Sequence, residues 1–110
     1  MTIKEATLNL TDYQSKASTF ALSVSPLERV FGLLEEAGEV AGAFKRMERG
    51  DYDMPTFGEK LAGELGDVLW YLAQICSDNQ WSLEDIAQSN LDKLESRKVR
   101  SMILGSGSNR

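Results

Sequence analysis

The sequence predicts an all-α domain, a bundle-like arrangement of four helices, and three observations carry that prediction. Four Ser or Thr residues are each followed three positions later by an acid or amide, the signature of a capped helix start. Between these starts, apolar residues recur at three- and four-residue spacing. The sustained two-residue alternation that a half-buried strand needs is nowhere found. At 110 residues the chain fits one domain, and its 42% hydrophobic and 26% charged content is ordinary for a globular protein.

The elements follow in order. Thr11 with Gln14 opens a first helix, expected over about 11–22. Ser25 with Glu28 opens the second, expected over about 26–48, and Pro26 occupies its first helical position. Gly50 supplies a left-handed stop for that helix. Thr56 with Glu59 opens the third, expected over about 57–78, with Pro55 in the loop before it. Ser82 with Asp85 opens the fourth, expected over about 83–98. The domain is expected to occupy 1–104, leaving 105–110 as a Gly- and Ser-rich tail.

Composition excludes several functions. A net charge of −5 argues against a general affinity for nucleic-acid backbones, which is built from Lys and Arg. No apolar run approaches membrane-spanning length and no basic-then-apolar leader is present, so a cytoplasmic protein is expected. The single cysteine, Cys76, lies among apolar neighbours and reads as a small core residue. The absence of histidine removes imidazole acid–base catalysis, Ser-His-Asp triads and di-iron Glu-x-x-His ligation. With one cysteine besides, zinc is a poor fit. Any metal must be held by oxygen, which favours Mg²⁺ or Mn²⁺ ahead of Ca²⁺.

Oxygen ligands are concentrated in two acidic stripes. At about 100° per residue, the second helix gathers Val30, Leu33, Leu34, Ala37, Val40, Ala41, Phe44 and Met47 into an apolar arc. Beside that arc runs Gly32, Glu36, Glu39, Ala43, at offsets of four, three and four. The third helix repeats the offsets in Lys60, Glu64, Asp67, Tyr71, beside an arc that includes Leu61, Leu65, Val68, Leu69 and Leu72. Packed antiparallel through their apolar arcs, the helices are expected to bring Glu36, Glu39, Glu64 and Asp67 together. Four converging carboxylates repel unless a cation neutralises them. Glu35 lies farther round the helix and is placed to assist a second ion or a water. Acids at helical spacing ordinarily make a solvated face. Two matched stripes at core borders, with no Arg in either, are less common.

The fourth helix carries Asn90, Lys93 and Arg97 on one side, a row suited to phosphate oxygens or to plain surface charge. Lys60 and Tyr71 add a cation and a hydroxyl at the rim of the acid cluster. Trp70 faces away from the acids and is expected to pack against a neighbouring helix or subunit. Trp81 and Tyr52 fall in connecting segments, where each is able to stack on a base or simply to pack.

These motifs resemble a known family. Gly32-Leu33-Leu34-Glu35-Glu36-Ala37-Gly38-Glu39-Val40 and Glu64-Leu65-Gly66-Asp67-Val68-Leu69-Trp70-Tyr71 are similar to the MazG-like nucleotide pyrophosphohydrolases. That group belongs to the all-α nucleoside triphosphate pyrophosphatases, with the pattern Glu-Glu-x-x-Glu, a gap, then Glu-x-x-Asp. The likeness extends to Tyr13-Gln14 with Ala17, and to Asn90-Leu91-Asp92-Lys93-Leu94 with Arg97. Some small members also end in a Gly-rich tail finishing Gly-Asp-Asn-Arg, where this chain has Gly107-Ser108-Asn109-Arg110 and so lacks the acid.

The resemblance implies hydrolysis of a nucleoside or deoxynucleoside triphosphate to monophosphate and pyrophosphate, in nucleotide pool control or removal of non-standard nucleotides. It implies that Glu36, Glu39, Glu64 and Asp67 bind Mg²⁺, with Mn²⁺ a substitute, and that Glu35 assists in catalysis with Glu36 and Glu39. Lys60, Tyr71, Asn90, Lys93 and Arg97 would bind substrate. It further implies a homodimer or homotetramer. Two alternatives remain open at this point: a phosphoribosyl-ATP pyrophosphohydrolase of the same superfamily, and a non-catalytic helical oligomer.

Overall fold

The protein is described from a computed structural model, which covers residues 7–104; the tail at 105–110 lies outside the described residues. Four helices follow one another: α1 (Leu10–Ser18), α2 (Pro26–Glu48), α3 (Met54–Asp78) and α4 (Leu83–Leu104). No strand occurs among the described residues.

The caps explain where the boundaries differ from expectation. Helix α1 starts one residue before Thr11, because the Asn9 side chain accepts from the Asp12 N–H at 2.8 Å. It stops at Ser18 rather than near 22. Ser18 Oγ donates to the Gln14 carbonyl and Thr19 Oγ1 to the Lys16 carbonyl, competing with the backbone amides that would continue the helix. Residues 19–25 therefore form a connection instead of a last turn.

Helix α2 runs as expected, with Ser25 Oγ accepting from the Glu28 N–H at 3.2 Å. Its end is a Schellman turn: the Gly50 N–H donates to the Met47 carbonyl and the Asp51 N–H to the Arg46 carbonyl. Gly50 has φ +83°, a conformation that costs glycine nothing. Helix α3 begins at Met54 because Asp53, not Thr56, is its cap and accepts from the Thr56 N–H at 2.8 Å. Pro55 thus sits inside the first turn, where no N–H is needed. Its far end repeats the Schellman pattern, with Gln80 at φ 61° in the glycine-favouring position. Ser82 caps α4 as expected, but the helix continues past 98 to Leu104, since no Gly or Pro interrupts the sequence before Gly105.

Helices α2 and α3 form an antiparallel hairpin, shown by pairings that run in opposite directions along the two chains. Arg29 meets Asp78, Gly32 meets Tyr71, Glu36 meets Glu64, and Phe44 meets Phe57. Helix α1 lies on α3, and α4 touches α1 and α3 but not α2. Gln14 joins three of these elements: its amide oxygen accepts from the Leu83 N–H, and its nitrogen donates to the Trp81 carbonyl and Ser77 Oγ. A small cluster of Ala73, Cys76 and Leu83, flanked by Leu10, Tyr13 and Leu69, fills the junction.

The helices do not close around a common core within one chain. A radius of gyration of 17.8 Å exceeds the roughly 13 Å of a compact domain this size. The expected packing through the apolar arcs is corrected as well. On α2 the buried residues are Arg29, Gly32 and Ala43, which belong to the acidic side. Val30, Leu34 and Phe44 of the arc are exposed, as are Leu27 and Phe31 beside it. Small residues let the backbones approach on the acidic side; Leu33, Val40 and Met47 of the arc are half-buried and Phe44 meets Phe57, but Val30 and Leu34 stay exposed.

Candidate metal centre

The row along α2 that faces α3 reads Arg29, Gly32, Glu36, Ala43, and the answering row on α3 reads Glu64, Asp67, Tyr71, Gln74, Asp78. Gly32 is required by close approach, because a methyl there would overlap the Tyr71 ring. That contact fixes the height at which the next turn of α2 meets α3, and the next turn carries Glu36.

Glu36, Glu64 and Asp67 each bring a carboxylate oxygen to within 4.8 Å of the others. The Glu36 carboxyl is pushed up to about 7. Burial is the leading cause, followed by a hydrogen bond to Glu64 and the negative charges of Asp67, Glu64 and Glu35. Without a cation, Glu36 keeps its proton to higher pH than an isolated carboxyl does, which limits the repulsion within the cluster. The residues fit a hard divalent ion: three oxygen ligands and an excess of negative charge, with no nitrogen or sulfur donor among them.

The other expected site residues are distributed differently. Glu35 is exposed yet close enough for its charge to act on Glu36. Glu39 is exposed one turn farther along α2 and stands outside the three-carboxylate group. Lys60 is exposed one turn before Glu64, and Tyr71 is half-buried one turn after Asp67. Asn90, Lys93 and Arg97 lie on α4, which does not approach α2, so this chain does not bring them to Glu36.

Two features of the site were not read from the sequence. Tyr13 of α1 stands near Asp67, whose charge adds to burial in raising the phenol. Arg29 is 7% exposed, donating to Asp78 Oδ2 at 3.1 Å and to the Leu22 carbonyl at 3.0 Å. Extending the acidic stripes at the same offsets, by one turn on α2 and by two on α3, would have reached Arg29 and Asp78. Trp70 packs on α1, as expected of a residue facing away from the acids, and its Nε1 donates to the Ala17 carbonyl at 3.3 Å.

Arg29 also borders a cavity of about 260 Å³. Phe20, Leu22 and Val24 of the 19–25 connection form one wall, and Glu28 belongs to the start of α2. Trp70 and Tyr71 form the opposite wall. Since Tyr71 follows Asp67 by four residues, the cavity begins about 6 Å, one helical turn, from the acid cluster.

Residues 25–101 match the MazG nucleotide pyrophosphohydrolase domain, a span that holds α2, α3 and nearly all of α4. The chain belongs to that family. It is also similar to the Gene 37 protein of Mycobacterium phage L5, 44% identical over 81 residues, covering 72% of this chain and 71% of the phage protein. No solved structure matches. Among the described residues, no helix is long and apolar enough to cross a membrane.

Proposed function

We propose that this protein hydrolyses a nucleoside or deoxynucleoside triphosphate at the α-phosphate, giving monophosphate and pyrophosphate, with Mg²⁺ as cofactor. Family membership supports pyrophosphohydrolase activity in general. The observation that carries the finer reading is the Glu36, Glu64 and Asp67 cluster, held between two long helices, in which burial and crowding of like charge raise the Glu36 carboxyl to about 7.

In this reading Glu36, Glu64 and Asp67 bind the ion, and Glu39 completes the set from the next turn. A divalent cation there supplies charge neutralisation for the triphosphate and a lowered pKa for a bound water. Glu35, exposed and beside the cluster, accepts the proton of the attacking water. Lys60 and Tyr71 flank the ion on α3, one turn to either side, and steady the phosphates.

In this reading the phosphate-binding row Asn90, Lys93 and Arg97, on a helix that does not approach α2, comes from another copy of the chain. The apolar surface argues for such a copy. Buried apolar residues among those described are Ala17, Ala43, Ala73, Cys76 and Leu83, a core too small to offset the ordering of four helices. Leu27, Val30, Phe31 and Leu34 form an exposed stripe at three- and four-residue spacing on α2. A homodimer or homotetramer that covers this stripe gives the chain its missing core.

The experiment is incubation with each common NTP and dNTP plus Mg²⁺, with chromatographic separation of products. Monophosphate and pyrophosphate, abolished by EDTA and restored by Mg²⁺ or Mn²⁺, is the expected result. Diphosphate with orthophosphate would overturn the mechanism.

A further inference from the structure

The cavity beside the acid cluster has the makings of a base-recognition site, and the following inference rests on the triphosphate reading above. At about 260 Å³ it falls just below the ~300–1,000 Å³ of sites for drug-sized ligands, a scale suited to one flat ring system. Its walls offer the right surfaces. Trp70 and Tyr71 stand edge to face at 5.1 Å, and Phe20 and Leu22 are exposed across the opening, leaving apolar area for a ring to cover. Its position is right as well, because one helical turn separates Tyr71 from Asp67, room for a sugar between the α-phosphate and the base.

The wall is held by a defined device. Buried Arg29 ties the 19–25 connection to α3 through the Leu22 carbonyl and Asp78, and its guanidinium lies 6.0 Å from the Trp70 ring. With Nε donating to Asp78 and Nη2 to Leu22, Arg29 acts as a positioning residue. Among the described residues, Glu28 is the one acidic residue that lines the cavity. An ionised carboxylate only accepts hydrogen bonds. It therefore favours a ring edge that carries an amino group and repels one that presents a carbonyl oxygen.

We infer that this cavity receives the nucleobase of the substrate and that Glu28 selects bases bearing an exocyclic amino group. Cytosine and uracil make the sharpest comparison, since one presents an amino group where the other presents a carbonyl. A charge-assisted hydrogen bond gained against one lost corresponds to a preference of about tenfold.

The test uses the full chain with Trp81→Phe, which leaves Trp70 as the remaining tryptophan of the two. CMP, UMP and ribose 5-phosphate are titrated without metal while Trp70 fluorescence is followed. The expected result is saturable quenching by CMP, about tenfold weaker binding of UMP, and no response to ribose 5-phosphate. Glu28→Gln should bring CMP and UMP to within about twofold, because an amide both donates and accepts. The fold should tolerate this change, since Ser25 caps α2 through the backbone N–H of residue 28.

Equal CMP and UMP affinities in the parent protein, or an unchanged preference in Glu28→Gln, would overturn the inference. Failure of the hydrolase reading looks different: selective CMP quenching in a protein that releases no pyrophosphate from CTP. Conversely, CTP hydrolysis without CMP quenching would sink the base pocket and leave the hydrolase reading standing.

Discussion

The two sides of α2 invert the usual logic of a helix in a small domain. The inner side, facing α3, carries Arg29, Gly32 and Glu36, while the outer side carries Leu27, Val30, Phe31 and Leu34. Charge is turned inward and bulk apolar surface outward. A single chain of this kind is poorly supplied with hydrophobic core but well supplied with a preorganised polar row. On the function proposed above, the inner row holds the ligand and the outer face meets a second copy of the chain.

Breaking the inner side should have the largest effect. Asp67→Asn removes a carboxylate from the cluster, and we expect pyrophosphate release to fall more than about 100-fold, since even supporting residues of a metal site cost 10- to 100-fold. Helix content by circular dichroism should be unchanged. Activity within a few-fold of the parent would separate the cluster from the chemistry.

Breaking the outer side should leave the acids in place and dismantle the assembly. Leu34 is 69% exposed in the single chain, so Leu34→Glu costs little there. Against a partner copy it buries an unpaired charge. We expect light scattering to report a smaller species with a lower melting temperature. An unaltered mass would mean that this face is not the interface.

Two finer changes sharpen the contrast. Gly32→Ala places a methyl against the Tyr71 ring, and overpacking of that sort costs about 1–3 kcal/mol. Ala at the exposed Gly38 of the same helix meets no neighbour and should instead stabilise, by up to about 1 kcal/mol. Chemical denaturation of both variants would read the two signs; a matched response would mean that α2 and α3 are not in close contact at Gly32.

The smallest expected effect is a pH slope in metal-free protein. Glu36 has a folded-state value of about 7, above its ordinary 4.5, so the folded chain binds more protons than the unfolded one in between. Stability contributed by this group is present below about 4.5 and is lost as pH rises through about 7. Glu36→Gln should flatten the slope between those values, and saturating Mg²⁺ should also remove it. Thermal melts at several pH values measure this, and identical slopes in parent and variant would remove Glu36 from the cluster's titration.

The sequence by itself determined the four helices, since caps and spacing are local properties. Ser25 and Ser82 act as read, and the acidic stripes place Glu36, Glu64 and Asp67 on facing rows. Local rivalry misled where two caps competed, as at Asn9 against Thr11 and Asp53 against Thr56. Tertiary structure alone decided which side of α2 turns inward. A helical wheel measures hydrophobicity and suggests that the apolar arc packs first. It does not measure backbone approach, which Gly32 and Ala43 permit on the acidic side. Nor does it know whether a partner is in the same chain. The fate of Lys93 and Arg97 depends on that second question, because contacts made across long separations in sequence, or between copies, leave no periodic trace in one helix.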